Sequence, residues 1–498
     1  MQGVQTARTA CLEGFSAHPV DVQADVADGM PGVTVVGLTD RAIQESRERV
    51  RSAIRNSGLR FPVDRRVTVN LAPAEMRKEG TGFDLAIAVS LLAAAGMRLD
   101  LAGAGFIGEL GLDGSVRPTR GVLPMCLRLA EAGVAPLFVP AANVDEALAS
   151  GAEVLPVGSL VELVAHLAGE FALAAPRPAS PGLARVAGVD LAEVQGQAVP
   201  KRALEVAAAG GHHLLLTGPP GAGKSMLARA LVGLLPDLTE DESREVTTIH
   251  SVAGLLDQPG LLRRPPLRSP HHTVSIAGLV GGSRAAMPGE LCLANRGVLV
   301  MDELPEFQRH CLEALREPLE EGRIRLGRAS GTRVLPAAFI LAATANPCPC
   351  GRQGETDETL CVCPPDVVSR YQKRISGPLR DRIDLVLEVR PARLRHLPGR
   401  REGETTAAVA MRVAAARAVQ RERQGSRLNG SLAPAQLGEV CALDRDAARL
   451  VPRLARSLRL TGRGFHGIFR LARTMADLDG RSHISAQDLM QAGELRGA

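Results

Sequence analysis

The residues with the clearest chemical meaning form a glycine-rich stretch near the middle of the chain. Residues 218–225 read GPPGAGKS, a complete G-x-x-x-x-G-K-[ST] pattern, between an apolar strand-like run and an apolar helical run. Such glycines let backbone N–H groups curl around phosphates at a helix N-terminus. The predicted phosphate-binding loop (P-loop) comprises Gly218, Pro219, Pro220, Gly221, Ala222, Gly223, Lys224 and Ser225. Lys224 is expected to reach the β- and γ-phosphates of ATP and Ser225 to bind Mg²⁺.

Two other strand-like runs end in polar residues that suit the same site. Residues 298–303 read VLVMDE, so that Asp302 would complete the Mg²⁺ site and Glu303 would orient the attacking water. The run 339–344 is followed by Asn346, which would contact the γ-phosphate or the water unless it is an ordinary capping residue. Together these residues predict ATP hydrolysis rather than binding alone.

A short arginine-containing motif follows. Residues 376–385 read SGPLRDRIDL and place Arg380 and Arg382 on a loop-like stretch before a strand. An arginine offered to a neighbouring subunit's phosphate accelerates hydrolysis. We assign this role in trans to Arg382; the alternative is a local salt bridge to Asp381 or Asp384.

Four cysteines lie just beyond Asn346 in a C-x-C-x10-C-x-C pattern, at Cys348, Cys350, Cys361 and Cys363. Two close pairs of thiolates can hold a structural Zn²⁺. Reduced thiols without metal, or a disulfide, are the alternatives. His271 and His272 have no third ligand nearby, and a metal site there is not expected.

Residues 322–333 read GRIRLGRASGTR, which is typical of a β-hairpin. Their arginines are Arg323, Arg325, Arg328 and Arg333, with no acid among them. These side chains could hold DNA phosphates without sequence preference, or form a solvated face. Residues 390–430 add ten Arg and three Glu, either a second basic segment or the outer face of a helix.

The composition sets limits on function. The chain has 498 residues, 59 Lys+Arg against 54 Asp+Glu, and only 2% aromatic residues, so a surface that reads bases by successive stacking is not expected. The N-terminus lacks a signal-peptide core, and the longest apolar stretch is too short to span a bilayer. Nine cysteines without an export signal favour reduced thiols in the cytoplasm.

These residues require a particular order of elements. Strand and helix patterns alternate in the first block and again after residue 190, where they predict a parallel sheet with crossover helices. The last block is nearly all helical, with Val409, Val413 and Ala416 on one face of its first helix. We predict an α/β chain with a domain at 1–172, a linker at 173–189, an ATPase core at 190–395 and a helical domain at 396–498.

The central block resembles the magnesium-chelatase group of AAA+ ATPases, through GPPGAGKSMLA, SPHHTVS, PGELCLANRGVLVMDELPEF, ANPCPCG and SGPLRDRIDL. The whole chain is similar to the ComM/YifB family. This resemblance implies a homo-hexameric, DNA-dependent motor for branch migration in transformation, working with recombination proteins and without a membrane. It implies sensor one at Asn346, sensor two at Arg463 with Arg470 as the alternative, and Arg380 where the family commonly has leucine.

The first block resembles the Lon-protease fold, through GTGFDLAIAVSLLAAAG and GELGLDGSVRPTRGVLP. A Lon-type dyad needs a serine and a lysine, whose matching positions here are Gly82 and Leu123, whereas the only lysine of the block is Lys78. We therefore expect a Lon-like domain without proteolysis. The rival functions are a magnesium-chelatase ATPase subunit, an ATP-dependent protease and an AAA+ remodeller of protein partners.

Overall fold

The computed structural model describes residues 4–36, 41–74, 78, 82–176, 189–256, 260–282, 287–328, 331–354, 361–391, 403–457 and 462–497. They divide into two compact units. Unit 1 comprises residues 1–183, 240–262 and 283–287, and unit 2 comprises residues 184–239, 263–282 and 288–498. The predicted linker falls largely on 177–188, outside the described residues.

The elements up to residue 176 are mixed strands and helices. They are β1 (Gln5–Glu13), β2 (Ser16–Ala27), β3 (Gly32–Val36), α1 (Arg41–Asn56), β4 (Arg66–Ala72), α2 (Asp84–Ala94), β5 (Gly105–Phe106), β6 (Glu109–Leu110), β7 (Val116–Arg117), α3 (Val122–Glu131), β8 (Leu137–Pro140), α4 (Val144–Leu148), β9 (Val154–Val157) and α5 (Leu160–Leu167).

The central elements alternate between strand and helix, with one hairpin. They are α6 (Ala198–Gly210), β10 (Leu214–Thr217), α7 (Lys224–Ala230), α8 (Glu240–Ala253), β11 (Leu267–Arg268), α9 (Ile276–Val280), α10 (Glu290–Leu293), β12 (Val298–Met301), α11 (Arg309–Ala314), α12 (Arg316–Glu321), β13 (Arg323–Arg328), β14 (Gly331–Pro336), β15 (Ile340–Ala345), α13 (Pro365–Gln372), α14 (Gly377–Arg380) and β16 (Leu385–Glu388).

The described residues from 403 onward form helices. They are α15 (Thr406–Gln424), α16 (Pro434–Val440), α17 (Arg445–Ser457), α18 (Gly462–Leu478) and α19 (Ala486–Leu495). Val409, Val413 and Ala416 are buried on one face of α15, as their spacing predicts. These helices and the central sheet share one apolar core.

Unit 1 is built on a seven-stranded mixed sheet in the order β3-β4-β2-β1-β5-β8-β9. Strand β2 alternates buried and partly exposed residues, which is the pattern of a sheet with one covered face. Helix α2 is buried along its whole length, because Leu and Ala occupy most of it and the sheet covers it. Strands β3 and β4 and helices α1 and α2 follow one another in the alternating order of strand and helix patterns predicted for this block.

Unit 2 is built on a five-stranded parallel sheet in the order β11-β12-β15-β10-β16. Strands β12 and β15 are buried at every position, as strands covered on both faces must be. The parallel sheet predicted from the alternating pattern is therefore present. The hairpin of β13 and β14 also occurs where it was predicted, just before β15.

The division into units differs from the predicted boundaries. Helix α8 lies between the P-loop and β12 in sequence but belongs to unit 1, where it packs on α3. The Gly121 N–H donates to the Ser251 carbonyl at 3.1 Å, and the Ser251 hydroxyl donates to Glu146. Residues 190–239, 263–282 and 288–391 and the helices after 403 share unit 2 instead of forming separate bodies.

Candidate nucleotide site

The P-loop connects β10 to α7 at the carboxyl edge of the parallel sheet. A side chain at Gly218 would meet the Val389 carbonyl oxygen 2.2 Å from its Cβ, so only glycine fits there. Gly223 has φ +88°, a left-handed conformation that glycine adopts without strain, and it is the N-cap residue immediately before α7. The N-terminus of α7 therefore lies at the carboxyl edge of the sheet. A helix N-terminus in this position is suited to binding an anion such as phosphate.

Lys224 is held at this edge by oxygen acceptors. Its Nζ donates to the carbonyls of Gly218 at 2.7 Å and Pro219 at 2.8 Å, and to Asn346 Oδ1 at 3.1 Å. Burial lowers the pKa of Lys224, whereas the charges of Asp302 and Glu303 oppose that shift. The strand register explains the Asn346 contact, because Thr217 pairs with Ala345 across β10 and β15.

Ser225 and Asp302 meet at the same edge. The Ser225 hydroxyl lies 2.9 Å from both carboxylate oxygens of Asp302, and Thr344 donates its hydroxyl to Asp302 at 2.5 Å. A hydroxyl and a carboxylate are hard oxygen ligands, the kind that Mg²⁺ prefers. This pair therefore fits the predicted Mg²⁺ site.

Glu303 adopts an unusual backbone conformation. Its φ and ψ are 54° and 52°, in the left-handed region, and its N–H donates to Thr344 Oγ1 at 2.9 Å. Such a conformation costs energy in a non-glycine residue and persists where surrounding contacts impose it. Sequence reasoning missed Thr344, whose only signal is a hydroxyl residue two positions before Asn346 in an apolar strand.

The two arginines expected to act on ATP meet at a third residue instead. Glu320 of α12 accepts from Arg382 through one carboxylate oxygen and from Arg463 through the other, the latter at 2.8 Å. Arg382 is 12% exposed and also donates to the Pro378 carbonyl at 2.7 Å, whereas Arg463 is 51% exposed. We call Arg382 and Arg463 the arginine pair, and Glu320 is the acid that both contact.

The alternative partners predicted for Arg382 are wrong in the structure. The acid that pairs with Arg382 is Glu320, 62 residues away in sequence, and not Asp381 or Asp384. Asp384 instead binds His212 Nδ1 at 3.0 Å within the core of unit 2.

Arg470 lies near that same Asp384, and burial lowers the pKa of Arg470. Arg380 is an exposed residue at the end of α14.

The four predicted cysteines converge. All four sulfur atoms lie within 4.8 Å of one another, with Cys348 and Cys350 3.3 Å apart. A backbone N–H from Arg352 lowers the pKa of Cys350 to about 6, whereas burial and hydrogen bonds with the neighbouring thiols raise the pKa of Cys361 to about 12. The cluster is compatible with a four-thiolate zinc site, and all four residues are free of disulfides. Its loop also touches the P-loop, because a Cβ at Gly351 would lie 2.5 Å from Pro220.

The hairpin arginines are partly neutralised by acids that precede the hairpin. Arg325 pairs with Glu317 at 2.9 Å and with Glu321 at 2.6 Å, and Arg323 pairs with Glu321 at 2.9 Å. The side chain of Arg328 lies outside the described residues, and Arg333 has an interaction of its own. Counting residues 322–333 alone therefore overstates the positive charge of this hairpin.

The second basic segment is also engaged within unit 2. Arg412 pairs with Glu404 at 2.7 Å and with Glu205 at 2.5 Å, and Arg423 pairs with the buried Asp477 at 2.8 Å. Residues 392–402, with four of the ten arginines, lie outside the described residues. The described arginines here thus favour the interpretation as a helix face.

The two positions that match the serine and lysine of a Lon-type dyad are Gly82 and Leu123, and neither residue has a side chain that can take part in proteolysis. Leu123 is fully buried in α3, and a Cβ at Gly82 would meet open space. Lys78 is buried and donates to the Pro73 carbonyl. The ring centres of His271 and His272 lie 4.0 Å apart with the planes tilted by 35°, and His271 Nδ1 lies 2.9 Å from the Thr273 hydroxyl. Across the described part of the chain, no helix has the length and apolar character needed to cross a membrane.

Family models match three successive parts of the chain. Residues 190–397 match the model described as magnesium chelatase, subunit ChlI, and residues 403–496 match the C-terminal part of that subunit. Residues 22–143 match a model described as subunit ChlI of Mg-chelatase.

Several bacterial proteins are similar to the chain over nearly its full length. An uncharacterized protein of Mycobacterium tuberculosis is 43% identical, covering 98% of this chain and 97% of its own. The uncharacterized protein YifB of Escherichia coli is 40% identical, covering 98% and 96%. The competence protein ComM of Haemophilus influenzae is 38% identical, covering 96% and 94%.

Proposed function

Because the chain belongs to the ComM/YifB family of magnesium-chelatase-like proteins, we propose that it is an ATP-driven motor that moves on DNA. The motor is a homo-hexameric ring that promotes branch migration when strands are integrated during transformation. It acts in the cytoplasm beside the recombination machinery. The observation that carries the ATPase part is the network of Lys224, Asn346, Ser225, Asp302 and Thr344 at one sheet edge.

Each residue of this network has a distinct task. Lys224, whose Nζ donates to two backbone carbonyls and to Asn346 in the structure, supplies a cation for the β- and γ-phosphates. Asn346 orients the γ-phosphate. Ser225 and Asp302 hold Mg²⁺, which neutralises charge on the phosphate oxygens when it is bound. Glu303 accepts a proton from the attacking water. Its left-handed backbone conformation sets the direction in which the side chain leaves the main chain.

The arginine pair completes a neighbouring subunit's site. Arg382 and Arg463 share Glu320, so both side chains leave the same region of unit 2 and can serve the same phosphate. An arginine supplied in trans is worth roughly 10³- to 10⁵-fold in hydrolysis rate. Glu320 holds the pair in the single chain, and the neighbour's phosphates replace it in the ring.

The DNA part of the proposal is supported by the relative named competence protein ComM and by the hairpin ahead of β15. The hairpin arginines that we place on DNA phosphates are Arg323, Arg325, Arg328 and Arg333, and Arg323 and Arg325 would leave Glu317 and Glu321 to bind there. The contacts would be independent of sequence, because they go to the backbone.

One experiment tests the whole proposal. ATP hydrolysis by the purified full chain is measured with and without DNA, followed by strand exchange on a three- or four-strand junction. The expected result is DNA-stimulated hydrolysis and junction movement, both lost in Lys224→Ala. Hydrolysis indifferent to DNA, with no strand exchange, would contradict the DNA motor and favour a remodeller of protein partners.

The trans role of Arg382 has its own test. Lys224→Ala and Arg382→Ala are each expected to be inactive alone. Mixing the two variants should restore part of the activity, because some sites then combine an intact P-loop with an intact arginine. Mixed rings as inactive as either variant would contradict the assignment, and Arg380→Ala serves as the matched control.

A further inference from the structure

Unit 1 carries a concentrated basic segment within an acidic unit. Residues 1–176 contain fifteen basic and twenty acidic side chains. Eight of those fifteen are arginines within residues 41–66, where only three acids occur. The segment thus has a net charge of +5, and the rest of residues 1–176 has −10. This segregation lies on one helix, one loop and the start of one strand.

Helix α1 presents part of this charge as a row. Val50, Ala53 and Ile54 are buried on its inner face. Arg47, Arg51 and Arg55 are exposed and spaced by four residues, so they follow one another along the outer face about 6 Å apart. A regularly spaced row of cations matches a polymer of phosphates better than it matches a single small anion.

The row borders a cleft of about 250 Å³, which we call the α1 cleft. Its charged lining comprises Arg47, Glu48 and Arg51 from α1 and Arg65 from the loop before β4, three cations against one acid. Its apolar wall includes Phe61, and the Arg51 guanidinium carbon lies 5.9 Å from the centre of that ring. The ring restricts Arg51 and leaves its N–H groups able to donate.

Glu48 in the cleft lining and Asp28 near it compensate the arginines of the cleft only weakly. Arg47 pairs with Glu48 at 3.0 Å, but their side chains are 43% and 60% exposed. Arg65 lies 4.0 Å from Asp28, which is 96% exposed. Exposed pairs of this kind contribute little and are screened by salt. They contrast with Arg49, which is fixed on the buried Asp84 and takes no part in the surface.

We infer that the α1 cleft and the adjoining arginine row bind the phosphate backbone of a DNA strand. Arginine forks suit phosphate oxygens, and the contacts carry no base readout. The inference rests on the proposed function, since it supplies a second DNA contact in a unit that holds none of the ATP-site residues. The site would hold DNA while ATP hydrolysis changes the contacts made by unit 2.

The test compares two triple variants of the full chain in DNA binding, followed by fluorescence anisotropy across a potassium chloride series. The cleft variant carries Arg47→Gln, Arg51→Gln and Arg65→Gln. The control variant removes three exposed arginines elsewhere in unit 1 and carries Arg98→Gln, Arg117→Gln and Arg128→Gln.

The cleft variant is expected to bind a labelled single strand at least tenfold more weakly, with the slope of log Kd against log salt reduced by about 2 to 3. The control variant should retain most of the wild-type affinity, and both should keep the ATPase rate measured without DNA. A cleft variant that binds like wild type would overturn this surface alone. A wild-type chain that binds no DNA would overturn the surface together with the proposed motor.

Discussion

Two helices begin just after glycine-rich sequence, α7 in unit 2 and α2 in unit 1, and their first residues differ in charge. Helix α7 opens on Lys224 and Ser225, a cation and a hydroxyl, so its free N–H groups and its side chains both favour phosphate. Helix α2 opens on Asp84, which is fully buried. Its carboxylate accepts from Arg49 at 2.9 Å and from the Leu110 N–H at 3.2 Å. At the N-terminus of α2 the protein itself therefore supplies the negative charge, as the Asp84 carboxylate. At the N-terminus of α7 that charge would come from a bound phosphate.

Between these two helix starts, the largest expected effect comes from removing the acid beside the α7 site. Glu303→Gln keeps the shape of the side chain but cannot accept the water's proton, so hydrolysis should fall roughly 10²- to 10⁴-fold. ATP binding should change little, because Lys224 and Ser225 remain, whereas Lys224→Ala should lose binding as well. Turnover and nucleotide affinity are measured separately. Glu306→Gln, an exposed acid paired with Arg374, is the control, and an equally slow control would refute the assignment.

The α2 site should respond in stability instead of turnover. Asp84→Asn leaves Arg49 without its buried partner, which should cost about 3 kcal/mol. Hydrogen exchange of residues 41–94 in the full chain measures this, and the ATPase rate should hold in the folded protein. Unchanged exchange would show that the pair does not fix α1 on α2.

The same pair has a pH signature. Burial raises the pKa of Asp84, against the opposing hydrogen bonds from Arg49 and Ser46. Arg49→Met removes the cation and should raise the folded-state pKa further. A folded pKa above the unfolded one makes protonation favour the folded state. The stability lost in Arg49→Met should therefore be partly recovered as the pH falls toward the unfolded pKa of about 4, and a loss that deepens with acid would contradict this.

The cysteine loop tests how far the α7 site depends on its surroundings. We predict about one zinc per chain by metal analysis, lost when Cys348 and Cys361 are both changed to serine. Cys348 lies two residues after Asn346, so loosening this loop should displace Asn346 and slow hydrolysis about tenfold to a hundredfold. The buried pair Cys11 and Cys126, changed in the same way, should leave the zinc content unchanged.

A finer test uses two glycines of that loop. Gly351 and Gly354 have φ +80° and +88°, so alanine is strained at both, but only at Gly351 would it meet Pro220 of the P-loop. Gly351→Ala should therefore weaken ATP binding by about 1 kcal/mol, or roughly fivefold, beyond Gly354→Ala. Equal affinities in the two variants would show that the contact with Pro220 is unimportant.

The two helix starts also show what sequence can and cannot predict. Lys224, Ser225, Asp302 and Asn346 were predicted together because the carboxyl ends of parallel strands meet at one edge, so local motifs suffice. Glu320 was missed because its partners are 62 and 143 residues away and no spacing pattern marks it.

Packing partners were equally hidden. The sequence of α8 shows a helix but does not indicate which surface it covers, and the structure puts it on α3 in unit 1. The hairpin charge was overestimated because Glu317 and Glu321 lie just outside the segment that was counted. Local pattern predicts elements and motifs, whereas long-range contacts depend on packing of the whole chain.

The smallest expected effect concerns the glycine before α2. A Cβ at Gly82 meets nothing within 4 Å, so Gly82→Ser should change the free energy of unfolding by no more than about 0.5 kcal/mol. The serine would have no lysine to activate it, because the matching position holds the buried Leu123. Casein cleavage by Gly82→Ser should therefore equal that of wild type, at background level. Cleavage above background would mean that unit 1 supplies another base and would reopen the protease interpretation.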